Sequence, residues 1–161
     1  MTLERVRQRI SGYVYGNILV LAAIAIVTGD AINSGEGTIV VALTTLTTFF
    51  AHVIAQAVGQ QLGREPGTRA LHAQQELRDA WPILASGVVP ATIFLIAEFG
   101  FLPSELAQLT AALWVIARLA LIGFLLERLS GRRSSWRTLS GGLILALLST
   151  VVVVLKVVFA H

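Results

Sequence analysis

Ile18-Leu19-Val20-Leu21-Ala22-Ala23-Ile24-Ala25-Ile26-Val27 runs for ten residues without a charge, an amide or a hydroxyl. Its residues do not alternate between apolar and polar, as the strands of a membrane β-barrel would. Extended both ways it becomes Tyr13 to Ile32. A helix needs about 20 mostly apolar residues to cross about 30 Å of hydrocarbon. Four further stretches meet that length: Thr38 to Val58, Ala80 to Phe101, Ser104 to Leu129 and Leu139 to Phe159. Backbone groups in lipid must bond to one another, and a helix achieves this within one segment. The expected fold is therefore all-α: a polytopic membrane protein with five transmembrane helices.

Composition points the same way. The 161 residues are 55% hydrophobic and 13% charged, with mean hydropathy +0.78. A soluble domain carries about 25% charged residues. That shortage of polar surface argues against a soluble enzyme or a nucleic-acid binder. No cysteine is present, which excludes thiol redox chemistry and cysteine-ligated metals.

Orientation follows from the arginines. Arg5, Arg7 and Arg9 precede the first span, Arg64, Arg69 and Arg78 lie between the second and third, and Arg128, Arg132, Arg133 and Arg137 follow the fourth. The links between spans one and two and between three and four hold no basic residue. Basic clusters mark the cytoplasmic side, so the N-terminus is expected there and His161 outside. The net charge of +3 is thus a topology signal rather than a nucleic-acid patch. Tyr13, Tyr15, Trp81 and Trp136 fall at expected cytoplasmic ends, where amphipathic rings favour the headgroup layer. The basic start could also introduce a signal peptide, but the apolar stretch exceeds a signal core, so it is read as a retained span.

The expected organisation is a single transmembrane bundle over 1–161, with a short cytoplasmic helical link at about 60–79. In that link Gly63-Arg64-Glu65-Pro66-Gly67 breaks the helix. Thr68 then caps a helix that runs through Leu71, His72, Gln75, Glu76 and Arg78 into the third span. Pro90 lies within that span and is expected to kink it by removing a backbone donor.

Polar residues inside spans are the functional candidates, because each is costly there. Arg118 lies roughly 13 residues into its span, about 20 Å deep at 1.5 Å per residue. It reads either as an anion or headgroup ligand or as a structural arginine bonded to neighbouring helices. Thr48, His52, Gln56 and Gln60 recur every four residues and so share one stripe of the second span. His52 should match Arg118 in depth, and the stripe could face it as a polar pathway in which His52 carries protons. The alternative is an interhelical hydrogen-bond seam. Asn17 is a third polar group, beside the small-residue pair Gly12 and Gly16. His72, Glu76 and Asp79 share a face of the link helix and are read as solvated rather than as a metal site. Enzyme signatures are missing: there is no His-Glu-x-x-His, Gly-x-Ser-x-Gly or phosphate-binding loop.

This layout resembles the vacuolar iron transporter family. Tyr15-Gly16-Asn17-Ile18-Leu19-Val20 is similar to the family's span-one stretch, Thr47 to Gln61 to the exit of its second span, and Arg137-Thr138-Leu139-Ser140-Gly141-Gly142-Leu143 to its last. The resemblance implies five spans, termini on opposite sides, a cytoplasmic insert and a homodimer. The family's span-one acid falls at about Asn17, and no carboxylate or methionine ligand stands in span two. The expected function is thus a transporter-like bundle that does not carry iron, or else a non-catalytic accessory subunit of a larger membrane complex. In either case the partners are the lipid bilayer and a second copy or other subunits, in a cytoplasmic (inner) membrane, with no cofactor and no nucleic acid. A membrane-impermeant label applied to intact cells should reach a tag at the C-terminus and leave one at the N-terminus unmodified.

Overall fold

A computed structural model describes the backbone of residues 3–61 and 69–129, and the side chains of 9–59 and 77–122. The expected fifth span, at 139–159, lies outside the described residues. Those described form five helices and no strand: α1 (Leu3–Ile26), α2 (Gly29–Asn33), α3 (Glu36–Gln61), α4 (Arg69–Glu98) and α5 (Ser104–Leu129). Four of them contain stretches long and apolar enough to cross a membrane: Arg9–Ile26, Glu36–Gly59, Leu77–Glu98 and Ser104–Ile122.

The first expected span is corrected, because it divides near Thr28. That residue is extended, and its hydroxyl accepts a hydrogen bond from the Ala31 N–H at 3.3 Å, capping the short helix α2. Helix α2 contacts α3, α4 and α5 and buries Ile32 completely. The helix expected through the link is present, since α4 begins at Arg69 and continues into the third span; Thr68 lies outside the described residues. Pro82 and Pro90 both stand inside α4 without ending it. Its C-terminus closes on Gly100, whose φ of 78° suits glycine. The Gly100 N–H donates to the Ala97 carbonyl and the Phe101 N–H to that of Ile96, satisfying two of the last carbonyls.

Helices α1 and α4 form a central pair. Helix α3 packs on one side of it and α5 on the other, and among the described residues the backbones of α3 and α5 do not approach each other closely. Small residues permit the close approach. A Cβ on Gly16 of α1 would stand 3.1 Å from the Ile83 Cα of α4. Gly87 of α4 faces Thr45 of α3 so closely that a Cβ there would collide with its whole side chain. The apolar core splits in two along the bundle. A large cluster around Val20, Ile24, Val41, Phe94 and Val115 fills one end, and a small one of Phe49, Ala80 and Ile83 fills the other.

Many large apolar residues also lie on the outside of the bundle. Ile39, Leu43, Leu46, Phe50, Ile54 and Val58 run down α3 at 43% to 61% exposure. The stretch 37–59 of that helix carries no acidic, lysine or arginine residue. A water-facing surface helix would place charges on that face. Adding volume at the α3–α4 contact tests the packing. Gly87→Ala should cost about 1–3 kcal/mol of stability by overpacking. A second change, Thr45→Ala, should recover part of the loss, as read from unfolding in mixed micelles.

Candidate polar layer of the bundle

Arg118 sits on α5 and reaches both central helices. Its Nε donates to the Tyr13 hydroxyl of α1 at 2.8 Å, and Nη1 donates to the Ala85 carbonyl of α4 at 2.7 Å. The guanidinium carbon lies 4.8 Å from the centre of the Tyr13 ring, so the tyrosine also offers its π face. Among the described residues no carboxylate pairs with Arg118, and its charge is met by neutral oxygens and an aromatic ring. Ala85 lies one residue before Ser86, whose carbonyl loses its helical donor to Pro90.

A similar device stands one layer closer to the N-terminus of α1. Pro82 supplies no N–H to the Arg78 carbonyl, and Arg9 Nη2 donates to that carbonyl at 3.3 Å. Arg9 also forms an ion pair with Asp79 at 3.0 Å. Tyr13 is four residues past Arg9 and Ala85 six past Asp79. The Arg118 contacts therefore lie about 6–9 Å from this ion pair along the helices.

His52 lies on the other side of α1. Its ring approaches Gly12, where an added Cβ would stand 3.4 Å from Nε2. The same nitrogen is 2.9 Å from Gln56 Nε2, one turn along α3. Gly12 and Tyr13 are consecutive, so His52 and Arg118 meet α1 at one level, as their matched depth requires. They do not meet each other, because α1 and α4 stand between α3 and α5. Thr48 is buried and its hydroxyl donates to the Thr44 carbonyl of its own helix at 2.6 Å. The stripe of Thr48, His52 and Gln56 is thus not opposite Arg118, and its polar groups bond locally along α3.

Asn17 is fully buried on α1. Its Nδ2 donates to the Tyr13 carbonyl at 2.7 Å, one turn back. Its Oδ1 has no partner among the described residues. Asn17 and Tyr13 share a face of α1, so the arginine and the asparagine occupy successive turns. Helix α4 adds Ser86, also fully buried, whose hydroxyl donates to the Ile83 carbonyl at 2.6 Å.

Two contributors escape the sequence reading. Gln108 on α5 donates from Nε2 to the carbonyls of Ile24 and Val27, at 2.8 and 2.9 Å. It closes the C-terminus of α1, whose last carbonyls have no helical donor. Its signal is present, a lone amide in an apolar span, but its target is 81 and 84 residues away. Tyr13 reads as a headgroup anchor and instead receives Arg118. The third expected cluster is only partly placed. His72, Glu76 and Asp79 all belong to α4, the side chains of the first two lie outside those described, and Asp79 is paired with Arg9. Among the described residues no group of three acidic or histidine residues stands close enough to hold a metal.

No family model matches this chain, and no curated protein or solved structure does either. The geometry alone therefore carries the functional argument. Removing Arg118 leaves the Tyr13 hydroxyl and the Ala85 carbonyl to find other partners. Arg118→Leu should lower stability by about 1–3 kcal/mol, the usual cost of stranding buried polar groups. Tyr13→Phe should cost about 0.6 kcal/mol, the average for hydrogen bonds between membrane helices. The double variant should fall short of the sum, because both changes remove one contact.

Proposed function

We propose that this chain is a multi-pass protein of a cytoplasmic membrane and serves as a non-catalytic accessory or stabilising subunit. One observation carries that reading. Two donors of the Arg118 guanidinium are spent on other helices of the same chain, while His52 lies on the far side of the central pair. A guanidinium has five N–H donors, and these two bonds pin it to α1 and α4 instead of leaving it to follow a solute. Here the polar residues act as fasteners, and the hydroxyls of Thr45 and Thr48 bond within α3. The apolar exterior of α3 supports membrane insertion, since about 25 cal/mol is lost per Å2 of apolar surface left in water. The N-terminus is placed in the cytoplasm by its arginines. Assembly is part of the proposal. Thr47, Ala51, Ala55 and Gly59 are exposed at every fourth position of α3, a row of small residues against which another helix could pack closely.

A second reading, a transporter-like bundle, rests on a different observation. Asn17 Oδ1 is a buried acceptor without a donor among the described residues, at about the position where the vacuolar iron transporter family carries an acid. An amide oxygen there could offer a lone pair to a passing solute, though no charge to hold a cation.

Flux measurements separate the two. In liposomes loaded with reporters for cations, anions and small neutral solutes, an accessory subunit should raise none above the level of empty vesicles. A transporter should raise at least one, and Asn17→Leu should abolish that flux while leaving the helix content intact. Any flux sensitive to Asn17 removes the accessory reading.

A further inference from the structure

The arginine-bearing end of the bundle holds a second polar feature, separate from the Arg118 layer. Arg9, Leu77, Arg78 and Trp81 line an open cleft of about 360 Å3. In the sequence Glu4, Arg5, Arg7 and Gln8 precede Arg9, and Gln74, Gln75 and Glu76 precede Leu77, while hydrocarbon-length apolar runs follow both, so the cleft lies where polar chain meets apolar helix. Its two walls differ in chemistry. Arg9 is held in place by Asp79 and the Arg78 carbonyl, yet its side chain remains 39% exposed. Arg78 is exposed, and its guanidinium has no partner among the described residues. Two cations against one carboxylate leave the site one charge positive. Leu77 and Trp81 are one turn apart and 44% and 65% exposed, an apolar wall beneath the charges.

We propose that this cleft binds an anionic phospholipid of the surrounding membrane. Its phosphate lies against Arg9 and Arg78, and its glycerol and upper acyl carbons lie along Leu77 and Trp81. A guanidinium matches phosphate oxygens with paired donors. Tryptophan favours the boundary where one end of the ring is wet and the other apolar. A free phosphate ion would use the arginines and leave the Leu77–Trp81 wall without a role, which is why a lipid fits the whole cleft. The inference goes beyond the accessory reading and needs only that the bundle inserts in a membrane.

The chain has three tryptophans, so Trp114→Phe with Trp136→Phe leaves Trp81 as the sole indole. That protein is reconstituted into zwitterionic vesicles carrying a small fraction of brominated lipid, either phosphatidylglycerol or phosphatidylcholine. Brominated phosphatidylglycerol should quench Trp81 with roughly fivefold higher apparent affinity, the scale of one added arginine at an anionic membrane surface. Arg78→Gln should erase most of that preference, Arg78→Lys should restore part of it, and raised salt should weaken it. Equal quenching by the two lipids overturns the proposal, as does an undiminished preference in Arg78→Gln. If inorganic phosphate at millimolar concentration abolishes the preference, the site is an ion site and the lipid assignment falls. Flotation of the protein with the vesicles is scored separately. Failure to float overturns the membrane reading itself, whereas flotation without lipid preference overturns only the cleft.

Discussion

Helices α1 and α4 come close enough for backbone to meet side chain, because Gly16 presents no Cβ to Ile83 and Ser86. The rest of the bundle hangs on that pair. With α1 and α4 in contact, α3 and α5 can only pack on opposite flanks, each in the groove the pair offers. Apolar burial gives little drive for helices to associate where their surroundings are also apolar, so close packing and polar bonds must supply it. Gly87 against Thr45 repeats the solution between α4 and α3.

The polar residues follow from the same condition. Each proline in α4 deprives one carbonyl of its helical donor, and an arginine from another helix donates at or beside that place: Arg9 to Arg78, and Arg118 to Ala85. Gln108 treats the end of α1 likewise. Arg9, Arg118 and Gln108 act across helices, whereas Gln56 pairs with His52 along α3 and the short hydroxyl side chains act within their own helix. Arg118 has the reach to bridge three helices; Thr45 and Thr48 bond one turn back. Asn17 is the exception, with one half of its amide satisfied and the other buried without a partner among the described residues.

Much of this was legible in the residues. Four apolar stretches coincide with helices long enough to cross a membrane. The equal depth of His52 and Arg118 also holds, because rise per residue along straight helices is a local property. The division near Thr28 was legible too: Thr28-Gly29-Asp30 is a helix-start signature, hidden inside an apolar run that length alone would join. Partners were not legible. Depth gives a coordinate along the bundle axis and none around it, so the stripe of Thr48, His52 and Gln56 could be set opposite Arg118 only by assumption.

Sequence alone determined the helical class, the apolar lengths, the spacing of the arginine clusters along the chain and the short list of polar residues that have to be accommodated. Each depends on local composition and on the hydrogen-bonding demands of a backbone kept from water, and neither needs a neighbour to be known. Tertiary structure decided which helices touch, and hence that Arg118 belongs to Tyr13 and Ala85, Gln108 to the end of α1, and His52 to Gly12. The reason is angular. A helix offers about 100° of turn per residue, and only the packing of small against large side chains selects which way each face looks.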